Sequence, residues 1–190
     1  MIAASLKVSL YKGVFFLTIL TFFHPSPLDP LPWRDYFSSD FYLENPREAE
    51  VITHHVYLTP PLGKGPLFVA HHGAGSSGLS FALFASEIRK ALPAAGVLSV
   101  DARGHGQTSI RNRDDTVIND TPNLNLSVLS QDLVDAVFLT QKKLAWPELP
   151  DVVLMGHSLG GAVIADVAAS GKLGNAVIGF AVIDVVEGTG

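Results

Sequence analysis

A serine held between two glycines, Gly156-His157-Ser158-Leu159-Gly160, is the stretch of this chain best suited to covalent chemistry. The apolar run Asp151 to Met155 before it reads as a buried strand, and the small-residue pattern Gly161 to Ala169 after it reads as a helix. A G-x-S-x-G pentapeptide at a strand-to-helix turn is a nucleophile elbow. The turn is tight enough to strain the serine and to lift its hydroxyl above the sheet edge. Gly156 and Gly160 keep Cβ atoms out of the two places where they would collide with that turn. The helix N-terminus behind the serine favours negative charge, which suits a developing oxyanion. The pentapeptide by itself occurs by chance in many proteins; the strand and helix around it make Ser158 the candidate nucleophile.

A second glycine-rich segment, His71-His72-Gly73-Ala74-Gly75-Ser76-Ser77, follows the short apolar strand 67–71. Its glycines let backbone approach a substrate closely, and the N–H of Ala74 would pair with that of Leu159 to hold a tetrahedral oxygen. Such donors are worth roughly 3–4 kcal/mol each. A phosphate cradle is the competing use of such a loop, but it would want a lysine after the second glycine, and none follows. The paired histidines 71 and 72 suggest no metal, because adjacent side chains on a strand point to opposite faces; they read as packing and loop-orienting residues. Asp101-Ala-Arg-Gly-His-Gly106 ends a further strand, at the carboxyl edge where open α/β sheets bind ligands. Its glycines turn the chain and its charges brace neighbouring loops, so His105 reads as a loop residue rather than a general base. Asp101 as a catalytic acid is weakened by its place before the serine.

The elements that must position these groups alternate between strands and helices. Strands are expected at 50–58, 67–71, 97–100, 151–155 and 176–183, and helices at 81–92, 126–144 and 161–169, with Asn125 or Ser127 as a cap for the longest. This alternation implies a mostly parallel sheet with helices on both faces. Apolar residues at 47% against 16% charged suit strands covered on both sides. At 190 residues the chain can bury a sizeable core as one domain. A net charge of −5 with no basic stripe argues against nucleic acid, and the absence of cysteine excludes a disulfide framework and thiol chemistry.

The start of the chain divides from the rest. Residues 1–32 read as an apolar N-terminal extension followed by a proline-rich linker, and residues 33–190 as the domain. The ten-residue apolar run 14–23 follows Lys7 and Lys12 like the core of a signal peptide, yet lacks a small-residue cleavage site and is too short to span a bilayer. Three readings compete: a poor signal peptide, a surface anchor, or an extension outside the folded domain, the last being favoured. The aromatic segment Trp33 to Phe37 is positioned to dock the linker onto the domain.

Taken together, elbow, glycine loop and alternating elements are those of an α/β-hydrolase. Within it the sequence resembles the protein phosphatase methylesterase family, serine esterases that remove the methyl ester from the C-terminal leucine of the protein phosphatase 2A catalytic subunit. Five segments carry the resemblance: Trp33–Phe37, His72–Ser80, Asp101–Thr108, Met155–Ala162 and, most specifically, Val182-Ile-Asp-Val-Val-Glu-Gly-Thr189. The resemblance spans about residues 33–189 and implies Ser158 as nucleophile and Asp184 as the triad acid. It further implies no metal or organic cofactor, the phosphatase 2A catalytic subunit as partner, a cytoplasmic and nuclear location, and no membrane role beyond what residues 14–23 leave open. An acid at a strand's carboxyl end, after the serine in sequence, can orient an imidazole and stabilise its cation; Glu187 is the alternative acid.

The third triad member is not found. All seven histidines (24, 54, 55, 71, 72, 105 and 157) precede Ser158, and none matches the family position. The expectation is therefore an incomplete α/β-hydrolase fold, the front half of an esterase, unable to run the reaction alone and with the edge of the strand 176–183 exposed. Two other readings stand: another α/β-hydrolase acting on lipid or small esters, and a catalytically dead fragment that retains binding.

Overall fold

A computed structural model of the chain describes residues 6–11, 14–19, 32–114 and 122–184. Among these described residues nine strands form one sheet: β1 (Leu6–Tyr11), β2 (Val14–Ile19), β3 (Ser39–Pro46), β4 (Val51–Thr59), β5 (Leu67–His71), β6 (Gly96–Val100), β7 (Ser109–Arg111), β8 (Val152–His157) and β9 (Val177–Ile183). The helices are α1 (Ala82–Ala91), α2 (Leu126–Lys143) and α3 (Leu159–Ser170). Strand order is β1-β2-β9-β8-β5-β6-β4-β3, with β7 beside β4. The centre, β9-β8-β5-β6, is parallel, while β4 runs antiparallel to it and β3 antiparallel to β4.

Each central strand owes its place to an uninterrupted apolar run. Every residue of β5 and β6 is buried, as a strand covered on both faces requires. One face packs Val56, Leu98, Val69 and Leu154 against Leu133 and Val137 of α2 and Ile164 of α3. The other packs Tyr57, Val97, Phe68 and Met155 against Ala82 and Ala85 of α1 and against Phe37. The aromatic segment docks as expected: Trp33 and Phe37 lie 6.2 and 5.5 Å, centroid to centroid, from the ring of Tyr57.

From β5 the chain crosses through α1 to β6 on one side, and through α2 it returns to β8 on the other side of β5. The two crossovers diverge between β5 and β8, so the loops after these strands open a crevice at their carboxyl ends. That is the topological switch point, where open α/β sheets take ligands.

Several boundaries differ from expectation. Strand β3 carries Ser39, Asp40, Glu44 and Pro46, a composition without strand periodicity, and it survives because it lies at the sheet edge, where half its surface stays wet. Phe81 belongs to a 3-10 turn before α1. Asn125 occupies the N-cap of α2, but its side chain makes no capping bond. Over 14–19, within the apolar run, β2 pairs in parallel with β9 through Phe15–Ala181 and Phe16–Val182 and so covers part of the edge expected to be exposed. A strand with free N–H and C=O groups is a template for such pairing. Residues 20–31, the rest of the apolar run and most of the linker, lie outside the described residues.

Among the four buried histidines are His54 on β4 and His71 at the end of β5. Burial pushes both down to about 4, and no described partner meets His54 Nε2. A depressed histidine binds fewer protons folded than unfolded, so its contribution is intact above the unfolded value near 6.5 and is lost as the pH falls toward 4. Chemical-denaturation stability is therefore expected to fall between pH 6.5 and 5, above the carboxylate range, with each histidine adding up to about 1.4 kcal/mol per pH unit. His54→Gln should flatten that slope; an unchanged slope would mean that His54 is not held neutral.

Candidate active site

Ser158 follows β8 and caps α3 with φ at 50°, a positive value that a non-glycine residue adopts only when its surroundings hold it there. The surroundings are specific. Its N–H donates to the carbonyl of Ile183 at 3.0 Å, and its own carbonyl accepts from Gly161 N–H at 2.8 Å. A Cβ on Gly156 would overlap the carbonyl of Gly160, and one on Gly160 would overlap the carbonyl of His71. Helix α3 thus presses onto the ends of β8 and β5 as closely as backbone allows, which forces the serine outward; its side chain is solvent-exposed.

The loop after β5 stands directly over this turn. A Cβ on Gly73 would lie 3.2 Å from Ser158 Cβ and 2.8 Å from His157 Nδ1. Ala74 is exposed beside it, and Leu159 occupies the first position of α3, where a helix N–H has no intrahelical partner. Among the described residues neither N–H is taken by a backbone carbonyl outside regular structure. The two candidate oxyanion donors therefore flank the candidate nucleophile.

Asp184 follows β9, which pairs with β8 in parallel with His157 opposite Ile183. That register places Asp184 just past the end of the strand beside the elbow, one residue after the Ile183 carbonyl that Ser158 N–H meets. It is exposed, and its φ is 48°. Of the three described non-glycine residues at positive φ, Ala145, Ser158 and Asp184, two are thus the candidate nucleophile and acid. Glu187 lies outside the described residues.

Asp101 has a different part. Its carboxylate is fully buried and meets His55 Nδ1 at 2.7 Å while accepting from Gly78 N–H at 2.7 Å and Gln107 N–H at 2.9 Å. Burial would raise the Asp101 carboxyl, but the bonds from His55, Gln107 and Gly78 outweigh it and hold the group below the usual carboxylate range. Burial would likewise lower His55, but Asp101 and then Asp40 keep it raised. Both directions favour the charged forms of His55 and Asp101. Asp101 is thus committed to one side chain, His55, and to the backbone of two loops. Arg103 braces as expected, bridging Asp132 on α2 and Glu50 before β4.

The paired histidines do orient the loop, but not from opposite faces. Strand β5 ends at His71, so His72 turns back and the two rings stack 5.6 Å apart. His71 Nδ1 donates to the carbonyl of His72 at 3.0 Å, and His72 Nδ1 to that of Gly73 at 2.7 Å. His105 is a loop residue: its Nδ1 donates to the Arg103 carbonyl at 2.9 Å and its Nε2 accepts from Gly75 N–H at 3.0 Å. The residues that sequence reasoning missed are His55 and Asp40, whose partners lie across the sheet. No group of three or more metal-ligating side chains occurs among the described residues, and no described helix is long and apolar enough to cross a membrane.

A doubly covered parallel sheet, a strained serine at the switch point and a glycine loop above it define an α/β-hydrolase. Residues 67–190 match the alpha/beta hydrolase family, and the chain belongs to it. It is 55% identical over 93% of its length to Protein phosphatase methylesterase 1 of Aspergillus oryzae, covering 42% of that protein. It is 34% identical over 84% of its length to Protein phosphatase methylesterase 1 of Bos taurus, covering 38% of it. The chain thus spans about two fifths of the length of the curated relatives it matches. Among solved structures, a protein of Agrobacterium vitis S4 described as a hydrolase matches with a TM-score of 0.57 at 14% identity, over 78% of this chain and 52% of that one. One from Pseudomonas aeruginosa described as an epoxide hydrolase matches at 0.51 and 21%, over 84% and 44%. These two share the fold.

Removing the Asp101 carboxylate leaves His55 and two loop N–H groups buried without their partner. Asp101→Ala is expected to cost about 3–5 kcal/mol in chemical denaturation. A loss below about 1 kcal/mol would show that the loops do not depend on it.

Proposed function

We propose that this chain carries the nucleophile, the acid and the oxyanion donors of a serine carboxylesterase that demethylates the C-terminal leucine of the protein phosphatase 2A catalytic subunit. The observation that carries this reading is the strained Ser158 beneath Gly73, in a chain 55% identical to a relative named for methylesterase action on a protein phosphatase. Ser158 Oγ attacks the methyl-ester carbonyl, and the N–H groups of Ala74 and Leu159 stabilise the oxyanion. Methoxide leaves as methanol, and water then hydrolyses the acyl-enzyme to the free carboxylate. Asp184, across from the elbow, orients the imidazole that takes the serine's proton.

That imidazole is neither His72 nor His105, since both ring nitrogens of each are bonded to backbone. On the family pattern it comes from a loop later than residue 190. The chemistry calls on no metal or organic cofactor. The phosphatase subunit is the partner in this reading, and cytoplasm and nucleus are where it would be met.

Ser158→Ala in the protein as the cell makes it is expected to abolish fluorophosphonate labelling and methanol release from a leucine-methyl-ester phosphatase tail. Asp184→Asn should lower kcat by about 10⁴, with stability changed by less than about 0.5 kcal/mol because the side chain is exposed. Persistent labelling of Ser158→Ala would remove the nucleophile assignment. Turnover of acylglycerols with an untouched methylated tail would move the enzyme to lipid esters.

A further inference from the structure

We propose that His72 and His105 are positioning residues for the oxyanion donor Ala74, pinning as neutral imidazoles the peptide groups on its two sides. The inference rests on the reading of Ser158 and Ala74 given above and adds the device that aims the donor.

Ala74 contributes its N–H from the peptide it shares with Gly73. All described peptides are trans, so the carbonyl of that unit and its N–H point in opposite directions. Fixing the carbonyl fixes the direction of the donor. The Gly73 carbonyl is held by His72 Nδ1–H at 2.7 Å and by Ser76 N–H at 3.2 Å. The next peptide, between Ala74 and Gly75, is held by its other end: Gly75 N–H donates to His105 Nε2 at 3.0 Å. Both planes flanking the Ala74 Cα are thereby set, one by an imidazole that donates and one by an imidazole that accepts. Gly75, at φ 73°, takes the left-handed position that closes the turn from Gly73 to Ser76.

Each ring is itself anchored to the same second loop. His72 Nε2 accepts from Ala102 N–H at 2.9 Å, and His105 Nδ1 donates to the Arg103 carbonyl at 2.9 Å. The rings meet edge to face with centroids 5.1 Å apart. Carbonyls can only accept and amide N–H groups can only donate, so the four partners require the same tautomer in both rings, protonated at Nδ1 and bare at Nε2. The loop that carries the donor is in this way cross-linked twice to the segment after β6, and not merely left to the conformational freedom of its glycines. A donor off line by a fraction of an ångström gives up transition-state stabilisation while leaving substrate binding in place.

The two positions call for opposite amide replacements. Asparagine reproduces the Nδ1 donor and glutamine reproduces the Nε2 acceptor, so at position 72 Asn should serve and Gln should fail, and at position 105 the reverse. In the full-length protein, His72→Asn and His105→Gln are expected to keep the phosphonylation rate with a fluorophosphonate, and kcat on the methyl ester, within about threefold. His72→Gln and His105→Asn should lose about 10- to 100-fold in both, with KM within about threefold. Equal losses for Asn and Gln at each position would reduce the histidines to packing residues and overturn the proposal. Should a variant not fold, ¹⁵N shifts of the unmutated protein decide: a bare Nδ1 or a protonated Nε2 on either ring would overturn it too. An unmutated protein that reacts with neither probe would instead sink the esterase reading itself.

Discussion

The buried carboxylate of Asp101 is the constraint on which the site's geometry depends. A charge taken wholly out of water is tolerated only when every lone pair is matched, and here the matches come from three separate stretches of chain: His55 on β4, Gly78 in the loop after β5, and Gln107 in the loop after β6. None of the three can move without unpairing the charge. The central sheet sets where these loops begin, and Asp101 sets where they go. The glycine loop that stands over Ser158 is therefore held at its far end by an ion pair in the interior and, near Ala74, by the imidazoles of His72 and His105.

On the opposite side of the crevice the constraint is steric. Gly156 and Gly160 let α3 close onto the ends of β5 and β8 until backbone meets backbone. The positive φ of Ser158 is the consequence, and the strain is held by the bonds to Ile183 and Gly161 on each side. The same bond to Ile183 ties the elbow to β9 and brings Asp184 alongside, so candidate nucleophile and candidate acid are fixed by one short stretch of parallel register. The two polar, positive-φ residues at the switch point are exposed yet carried on elements that do not give.

A division between local and non-local order runs through the chain. Strands β5, β6 and β8 and the helices α1 to α3 were legible because each buries a continuous run or a single face, which leaves a period in the sequence, and β9 because its run is apolar, though only Ala181 of it is buried. Ser158 was legible for the same reason, since its turn is built from five adjacent residues. Strand β3 was not, because an edge strand half in water carries no such period. Nor did the apolar run at 14–19 disclose its pairing with β9, since a free edge elsewhere in the chain decides it.

The sequence alone thus determined the class of fold and singled out the candidate nucleophile, the two candidate oxyanion donors and, through family resemblance, Asp184 as the candidate acid. All of these follow from short motifs whose physics is contained in neighbouring residues. Tertiary structure decided which aspartate is a brace and which stands beside the serine. It likewise decided that His55 is an ion-pair partner and that His72 and His105 are bridges. Those roles rest on contacts between residues 30 to 46 positions apart, and an imidazole's role is set by which donor or acceptor the fold brings to each nitrogen. Sequence order carries no trace of that choice.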